Sequence, residues 1–367
     1  MKKLIFPTIA ALLTAVSPLH AQAVKEHVNS FKESVYTHKL TSSQSVSFTF
    51  DEQTTPYMHG VQYIDDENLL AMRFRDKLIF FDMQSGQQKQ KVDIPSSSPA
   101  IFSYINRDSI YVNDGDMFVL FDMNGDVHSR HNIRYPKRNM SLPAAKISEI
   151  LLKDNNLYFT GNVTGESPLE NSRNRDVVMC YDLSSSKIRS TMSYSKIYQD
   201  HNWGGALFRW VYSAFDNQDN IIVSLPADHN IYINDLEFTE IKEVYAGSSF
   251  FSSTNYLDIP KMMPLSKATV DEQFIESGSY ANIFYDKYRN CYYRFAEAGV
   301  PYTGMSRWKK RLSVIILDDK FNKIGESAID DYSQTYRYGS FVAPEGLYIP
   351  YQSGSNLNYH IYKLSKL

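Results

Sequence analysis

The sequence predicts an all-β protein: a six-bladed β-propeller of four-stranded antiparallel blades, closed by an N-terminal strand that pairs with the C-terminal blade. Three observations lead to this prediction. Six similar segments recur along the chain, turn residues punctuate each of them, and the two ends of the chain complement each other. The aromatic content of 14%, with 27 tyrosines, is also typical of strands, because aromatic side chains pack well on pleated sheets.

The repeated unit contains an apolar strand, an acidic residue, a tight turn and a further strand. Its copies are, in chain order, "KLIFFDMQSGQQKQKVDI", "DMFVLFDMNGDVHSRHNI", "DVVMCYDLSSSKIRSTMS", "NIYINDLEFTEIKEVYAG", "RLSVIILDDKFNKIGES" and the truncated "YHIYKLSKL". A second hairpin precedes each copy, as in "YIDDENLLAM", "LLKDNNLYF" and "AFDNQDNIIV". Asp, Asn and Gly suit such turns because they tolerate tight backbone angles. Each unit is therefore predicted to have four short strands, a to d.

These units predict six blades, at about residues 57–94, 99–135, 147–194, 207–245, 280–328 and 339–367. A β-sandwich is the alternative, although six similar units in series are more typical of a propeller.

The two chain ends predict how the ring closes. The sixth unit stops at Leu367 after its third strand, and residues 45–50, "SVSFTF", form an isolated strand-like segment near the N-terminus. If that segment supplies the missing strand, it removes an exposed sheet edge that would favour aggregation.

The N-terminus has the pattern of a cleavable secretory signal. Two lysines follow Met1, an apolar run extends from Leu4 to Val16, and an A-x-A sequence ends at Ala23. We therefore predict a signal peptide over 1–23 and a single propeller domain over 24–367, with a buried N-terminal helix as the alternative. The apolar run is shorter than the roughly 20 residues of a membrane span, and no cysteine lies there to carry a lipid. We expect an exported monomer, periplasmic or secreted, with no transmembrane segment and no lipid anchor.

The composition argues against several functional classes. The formal net charge is −3 and becomes more negative without Lys2 and Lys3, whereas nucleic-acid binding needs a basic surface. No cofactor is expected, because H-E-x-x-H, G-x-S-x-G, P-loop and dinucleotide-binding motifs do not occur.

No metal site is expected either. Cys180 and Cys291 fall in non-neighbouring units, so we predict free core thiols, and no pair of histidines gives them zinc-binding spacing. The acidic segments 112–117 and 216–220 lack the later glutamate of an EF-hand and fit hairpin turns better than calcium sites.

The segment "YDKYRNCYYRF", residues 285–295, carries a resemblance. Together with the following "LSVIILDDKFNKIGES", it resembles a family of exported bacterial proteins known only as a domain of unknown function. The resemblance extends over nearly the whole mature chain and implies a six-bladed propeller. Many members carry a lipoprotein signal, which this sequence lacks. The resemblance implies no activity and no catalytic residue.

The connections between strands predict which face of the propeller carries function. In an antiparallel blade the a–b and c–d turns lie on one face, here called the short-turn face, and the b–c and d–a connections lie on the other, the long-loop face. The insertions fall on the long-loop face, at residues 136–146, 161–175, 195–207, 246–279, 297–311 and 329–338. Long loops on a rigid scaffold are often functional, so we expect a ligand there.

Aromatic and basic residues of these loops and of the adjoining strand ends are the predicted ligand contacts, because such side chains stack on rings and pair with anions. They are His201, Trp203, Arg209, Arg294, Tyr302, Arg307, Trp308 and Arg337. Some of them have a structural alternative. Trp308 also fits a cap on a blade, His201 fits a hydrogen-bonded loop residue, and a structural role for Trp203 is weighed equally with ligand contact. In the motif, Tyr285, Tyr293 and Phe295 are predicted to pack within the blade. Asp286 and Arg289 are predicted to clamp the turn, with a contact that is worth little if it is exposed.

Three functional hypotheses follow. The first is a non-catalytic module that binds a glycan, a peptide or an envelope protein through the long-loop face. The second is a carbohydrate-active hydrolase or lyase at the channel mouth, which would require converging carboxylates or a His-Tyr-Arg set. The third is a structural component of a cell-envelope assembly, which would expose a large apolar patch.

Overall fold

A computed structural model describes residues 24–28, 35–50, 58–96, 99–114, 117–133, 142–143, 149–162, 176–259, 265–303, 310–330, 339–353 and 356–367. Within these residues the protein is all-β, and its strands form six antiparallel four-stranded blades arranged as a six-bladed propeller. The predicted fold class is thereby confirmed. The predicted signal peptide, residues 1–23, lies outside the described residues.

Strands β3 to β19 build the first four blades, in order a to d within each blade. Blade 1 has β3 Gly60–Ile64, β4 Leu69–Phe74, β5 Lys77–Asp82 and β6 Gln88–Asp93. Blade 2 has β7 Pro99–Asn106, β8 Ser109–Asp114, β9 Met117–Phe121 and β10 Val127–Asn132. Blade 3 has β12 Ile150–Lys153, β13 Asn156–Asn162, β14 Asp176–Asp182 and β15 Lys187–Ser193, with β11 Leu142–Pro143 beside β13. Blade 4 has β16 Tyr212–Phe215, β17 Asn220–Ser224, β18 Asn230–Asp235 and β19 Ile241–Tyr245.

The last two blades contain the motif and the closure. Blade 5 has β21 Ser279–Asp286, β22 Cys291–Ala298, β23 Arg311–Leu317 and β24 Lys323–Ile329. Blade 6 has β25 Phe341–Ala343, β26 Gly346–Ser353 and β27 Asn356–Lys366, and its outer strand is β2 His38–Phe48.

Burial follows the position of each strand within its blade. The second strands β4 and β22 are buried along their whole length, because both faces of the sheet pack on neighbouring blades. The outer strands β10 and β19 are largely exposed. The apolar cores therefore lie between blades, as in the cluster that joins Leu70 and Phe81 of blade 1 to Tyr348 and Tyr359 of blade 6.

The closure prediction is confirmed, with a longer strand than expected. Strand β2 pairs antiparallel with β27, with Ser45 opposite His360 and Phe48 opposite Leu357. It begins at His38 and ends at Phe48, so Thr49 and Phe50 lie beyond the strand. Phe48 is fully buried and packs edge-on against Phe81 and Tyr359, which fixes this strand in the core between blades 6 and 1.

The long-loop face around blades 4 and 5 carries the additional elements. These are α1 Lys196–Asp200, a 3-10 helix Ala206–Arg209, β20 Ser253–Leu257, α2 Lys267–Glu276 and β1 Val24–Val28. Helix α2 begins after Ser266, whose hydroxyl accepts from the Thr269 backbone N–H as an N-cap. None of the helices in the described part of the chain has the length and apolar character needed to span a bilayer.

Strand β1 is held against this face by β20 and by a histidine pair. The two strands pair antiparallel, with His27 opposite Thr254. The His27 ring stacks on the buried His229 ring at 5.1 Å, and His229 Nε2 lies 3.1 Å from the His27 carbonyl. Since a carbonyl only accepts, Nε2 carries the proton, and Nδ1 accepts from the Tyr280 hydroxyl at 2.7 Å. Burial lowers the pKa of His229 to about 4, so the ring is neutral at physiological pH.

Candidate functional site: the central channel

The first strands of all six blades surround a central channel with a volume of about 340 Å³. This volume lies at the lower end of the range for small-molecule sites, about 300–1,000 Å³. Its walls combine aromatic rings with polar side chains from every blade. The polar and charged residues of the wall are His59, Gln62, Arg73, Ser103, Glu149, Ser213, Asn217, Asn282, Lys287 and Ser340.

Several of these polar groups are engaged in the scaffold. Gln62 binds both backbone groups of Tyr104, donating from Nε2 at 2.9 Å and accepting at Oε1 at 2.7 Å. This amide joins the inner strands of blades 1 and 2. The Ser213 hydroxyl lies 2.9 Å from that of Thr160, which joins blades 4 and 3. These contacts stabilise the arrangement of the blades and leave the bonded atoms less available to a ligand.

Two other buried oxygen atoms of the wall have no hydrogen-bond partner. They are Oδ1 of Asn282 on blade 5 and Oγ of Ser340, which directly precedes β25 of blade 6. The side chains of Asn282 and Ser340 are 8% and 3% exposed. Most buried polar groups in native proteins are hydrogen-bonded, so an orphaned pair in one cavity requires an explanation.

A β-bulge places Asn282. Tyr280 pairs with Ala296 and Ile283 pairs with Arg294, so Ala281 and Asn282 together lie opposite the single residue Phe295. Bulges occur beside active sites, where they re-aim a side chain. A second irregularity lies in the inner strand of blade 2, between Pro99 and Phe102, and includes the wall residue Ile101.

Glu149 is the single carboxylate among the described residues of the wall. It directly precedes β12, and its side chain is exposed to the channel. Because protein surrounds the channel, the carboxylate is poorly hydrated, and this desolvation raises the pKa of Glu149 to about 7. The wall also contains Arg73, which is buried. Desolvation lowers the Arg73 pKa to about 10, so its guanidinium stays charged at neutral pH.

The "YDKYRN" turn lies at the short-turn mouth of the channel. Lys287 belongs to the channel wall, and its Nζ lies 2.6 Å from a carboxylate oxygen of Asp65 in the a–b turn of blade 1. Arg289 donates through Nη2 to the carbonyl of Pro344 in the a–b turn of blade 6. The turn thus connects blades 5, 1 and 6 at this end of the channel.

A buried carboxylate organises the same turn. Asp286 has no exposed surface, and it accepts from Arg289 Nη1 at 2.8 Å, from the Tyr293 hydroxyl at 2.9 Å and from the backbone N–H of Tyr288 at 3.0 Å. The predicted turn clamp between Asp286 and Arg289 is therefore present, and its carboxylate is buried rather than exposed. The predicted packing roles of Tyr293 and Phe295 are confirmed, since both are fully buried.

The family model of a domain of unknown function, DUF4221, matches residues 37–328. The chain belongs to the DUF4221 family. No curated protein sequence matches it.

Solved structures show the same fold. A DUF4221 member from Bacteroides vulgatus has a TM-score of 0.74 at 18% identity, over 91% of this chain and 100% of that one. The PQQ-bound aldose sugar dehydrogenase of Streptomyces coelicolor has a TM-score of 0.50 at 12% identity, over 89% and 98% of the two chains. At these identities the likeness concerns the propeller architecture alone.

The DUF4221 chain places two of the predicted contact residues under the long-loop face rather than on it. Trp203 is 4% exposed, packs in a core with Tyr198 and Phe208, and donates from Nε1 to the Ile197 carbonyl at 2.9 Å. Arg294 has no exposed surface, and its guanidinium lies 3.7 Å from the centre of the Tyr280 ring. The expectation that Arg294 reaches the long-loop face is therefore corrected.

Arg294 instead binds blade 5 to blade 4. It donates to the Ser224 hydroxyl and to a cluster of backbone carbonyls, those of Leu225, Asp228, His229, Asn230 and Ala246. Leu225, Asp228 and His229 lie in the b–c loop of blade 4, Asn230 begins β18, and Ala246 directly follows β19. One side chain therefore holds the shape of that loop. Desolvation lowers the Arg294 pKa to about 10, and it stays charged at neutral pH.

The other predicted contacts are half-buried or lie outside the described residues. His201 stacks on Tyr256 with 3.8 Å between ring centres. Arg209 ends the 3-10 helix, and Tyr302 packs against the core of blade 4 while its backbone N–H donates to Glu276. None of these three belongs to the described channel wall. Arg307, Trp308 and Arg337 lie outside the described residues.

Sequence reasoning missed Asn282, Ser340 and Glu149. The available signal was a polar residue within or beside an apolar inner strand, as in "SYANIFYD" and "ISEILLK". That signal was weak, because the same residue types mark the turns of every repeat. The buried thiols Cys180 and Cys291 are free, and no cluster of three potential metal ligands occurs among the described residues.

Proposed function

We propose that this DUF4221 protein is an exported, non-catalytic binding protein whose ligand is a small molecule held in the central channel. The observation that carries the proposal is the pair of buried, unpartnered oxygens at Asn282 and Ser340, on neighbouring blades of one cavity. Leaving such an atom unsatisfied costs about 1–3 kcal/mol. A ligand that forms hydrogen bonds with both atoms would recover this free energy when it binds.

The placement of these residues favours binding over a purely structural role. Neighbouring wall residues, Gln62 and Ser213, have their hydrogen bonds made by the scaffold. Asn282 lies in a bulge, a departure from regular pairing that would otherwise weaken the strand. Export is supported by the signal-like pattern of residues 1–23. The role of an envelope scaffold stays an alternative prediction.

The ligand would enter from the long-loop face. Lys287 and its ion pair with Asp65 join two turns at the short-turn end of the channel, whereas longer connections form the opposite face. The proposal therefore keeps the long-loop face, predicted from the sequence, as the entrance for the ligand. It places the binding site inside the channel rather than on the loops.

A thermal-shift screen of the wild type and two serine variants tests this proposal. The panel contains neutral sugars, sugar acids, amino sugars, amino acids and dicarboxylates. We expect at least one compound to stabilise the wild type and Ser213→Ala, and to stabilise Ser340→Ala much less. Ser213 is the matched control, because its hydroxyl lines the same channel but is already bonded. A panel without stabilising compounds, or hits that stabilise all three proteins equally, would overturn the proposal.

One observation favours a second function, an enzyme that uses Glu149 as a general acid or base. A carboxyl with a pKa near 7 is suited to proton transfer at neutral pH, and His59 lies in the same wall. A hydrolase with paired carboxylates gains no support, since the described wall contains one carboxylate. Incubating a stabilising compound from the screen with the wild type and with Glu149→Gln distinguishes the two functions. Turnover of the compound by the wild type alone would support the enzyme.

A further inference from the structure

We propose that the channel ligand is a neutral, hydroxyl-bearing ring molecule of the size of a monosaccharide; this inference rests on the proposed function. Three features of the wall lead to it: the type of hydrogen-bonding atom offered, the balance of charge, and the pairing of those atoms with aromatic rings. Each is taken from residues that face one cavity.

The hydrogen-bonding atoms of the wall call for hydroxyl groups. Asn282 Oδ1 accepts only, so it requires an O–H or N–H from the ligand. Ser340 Oγ both donates and accepts, which matches a hydroxyl group. Glu149 lies on a third blade and is exposed to the same cavity. A carboxyl accepts when ionised and also donates when protonated, so it can bond a hydroxyl in either state.

The charges of the wall are close to balance, which favours a neutral ligand. Its formal charges are Arg73, Lys287 and Glu149. Lys287 is paired with Asp65 at 2.6 Å, which leaves Arg73 and Glu149 among the described wall residues. Because the pKa of Glu149 is about 7, the net charge of these two groups lies between zero and +1 near neutral pH. A ligand with one net charge would lose part of its hydration on entering the channel, and that loss costs free energy unless an opposite charge compensates it. A neutral polyol avoids that desolvation penalty.

Aromatic rings supply the flat surfaces that such a ligand would need. Tyr63 and Phe284 are half-buried wall residues on blades 1 and 5. The faces of aromatic rings carry negative partial charge and attract the C–H edges of other groups. A pyranose ring has a C–H face and a hydroxyl periphery, so it matches a wall that alternates rings with hydrogen-bonding atoms. The channel volume of about 340 Å³ suits one small ring molecule rather than a polymer chain.

Calorimetric titrations of the full chain test this class directly. The neutral probes are glucose, galactose, mannose and xylose, and the matched charged probes are glucosamine and glucuronate, which keep the ring and add one charge. We expect at least one neutral sugar to bind, and to bind about tenfold or more tightly than its charged counterpart. Asn282→Ala and Ser340→Ala should each weaken that binding by about tenfold. Ser190→Ala, which removes a hydroxyl that bonds Asp176 outside the channel wall, should leave the binding within about twofold.

The outcomes separate this inference from the proposed function. Tight binding of glucosamine, glucuronate or an amino acid that depends on Ser340 would overturn the neutral class and leave channel binding intact. A neutral sugar whose affinity is unaffected by Asn282→Ala and Ser340→Ala would overturn the channel site. The absence of binding by all four neutral sugars would overturn the inference. Circular dichroism of each variant confirms that it is folded before it is titrated.

Discussion

The Nζ atom of Lys287 lies 2.6 Å from a carboxylate oxygen of Asp65, and this contact joins the inner turn of blade 5 to that of blade 1, past blade 6. It belongs to the same turn as the buried Arg289–Asp286 pair, so the motif contains one ion pair that is open to solvent and one that is not. The two pairs are therefore expected to differ in their contribution to stability.

Replacing Lys287 should have a small effect and replacing Arg289 a large one. Lys287 and Asp65 are both partly exposed, so a double-mutant cycle with Asp65→Asn should give about 0.2–1 kcal/mol, reduced at high salt. Arg289→Ala leaves the Asp286 carboxylate buried without its cation, which should cost about 3 kcal/mol. Urea unfolding measures both. If the Lys287 and Arg289 substitutions lowered the free energy of unfolding equally, burial would not explain how much each ion pair contributes to stability.

Ser340→Ala should make the ligand-free protein more stable, by up to about 1–2 kcal/mol, because it removes a buried hydroxyl that has no partner. Ser213→Ala should do the opposite and destabilise it by about 1 kcal/mol, since it breaks the hydrogen bond to Thr160. Chemical denaturation of the ligand-free variants checks both signs. A destabilised Ser340→Ala variant would mean that the fold already satisfies this hydroxyl.

Glu149→Gln should change how stability depends on pH. The folded-state pKa is about 7, above the ordinary value of 4.5, so between these values the native state holds a proton that the unfolded state has lost. The contribution of Glu149 to stability should therefore fall as the pH rises from about 4.5 to 7. Relative to the wild type, Glu149→Gln should gain stability over that interval. Urea unfolding at acidic and alkaline pH measures the difference.

The control for this experiment is Glu240→Gln, which removes the same charge from an exposed turn of blade 4. It separates the loss of one negative charge, which both substitutions share, from the effect of the position in the channel. A Glu149→Gln variant that follows the wild type across the interval would contradict the raised pKa.

His229 should act in the opposite direction. Its folded-state pKa of about 4 lies below the ordinary 6.5, so between these values the unfolded state binds the extra proton. The contribution of this residue to stability is complete above pH 6.5 and should decline as the pH falls towards 4. Imidazole resonances in a proton NMR titration measure the pKa directly. A His229 resonance that titrates near 6.5 would show that the buried, neutral ring described here is incorrect.

Arg294→Met should be strongly destabilising, by about 3 kcal/mol or more, because it leaves a cluster of blade 4 carbonyls without their donor. Arg294→Lys retains the charge but loses the forked geometry, so it should recover only part of the loss. Thermal and urea unfolding of both variants test this. If both variants were as stable as the wild type and failed only to bind ligand, Arg294 would be a contact residue instead.

The sequence predicted the scaffold well because each blade is a local structure. The hairpins and turns of a blade are short-range features, and the truncated sixth unit signalled the strand that closes the ring through Phe48. No comparable sequence signal marks the proposed binding site. Asn282, Ser340 and Glu149 are far apart in the chain and meet only because the ring brings the inner strands together. The bulge at Asn282 depends on pairing with β22, which composition does not reveal.

Burial explains why two predicted contacts were misplaced. Trp203 stands beside Gly204 and Gly205 in a loop, a context that suggests exposure, but residues from separate segments of the face cover it. Arg294 lies within the apolar strand β22, and charged side chains are rarely buried in proteins. It is buried here because backbone carbonyls of blade 4 accept its hydrogen bonds. Contacts between blades, rather than local sequence, decide both positions.

The most direct test of the central claim is a crystal structure of the protein grown with the tightest-binding neutral sugar. We predict density for one ring molecule in the central channel, with hydroxyl groups within hydrogen-bonding distance of Asn282 Oδ1 and Ser340 Oγ. Density for the sugar outside the channel, or a channel that contains only water at saturating sugar, would contradict the account.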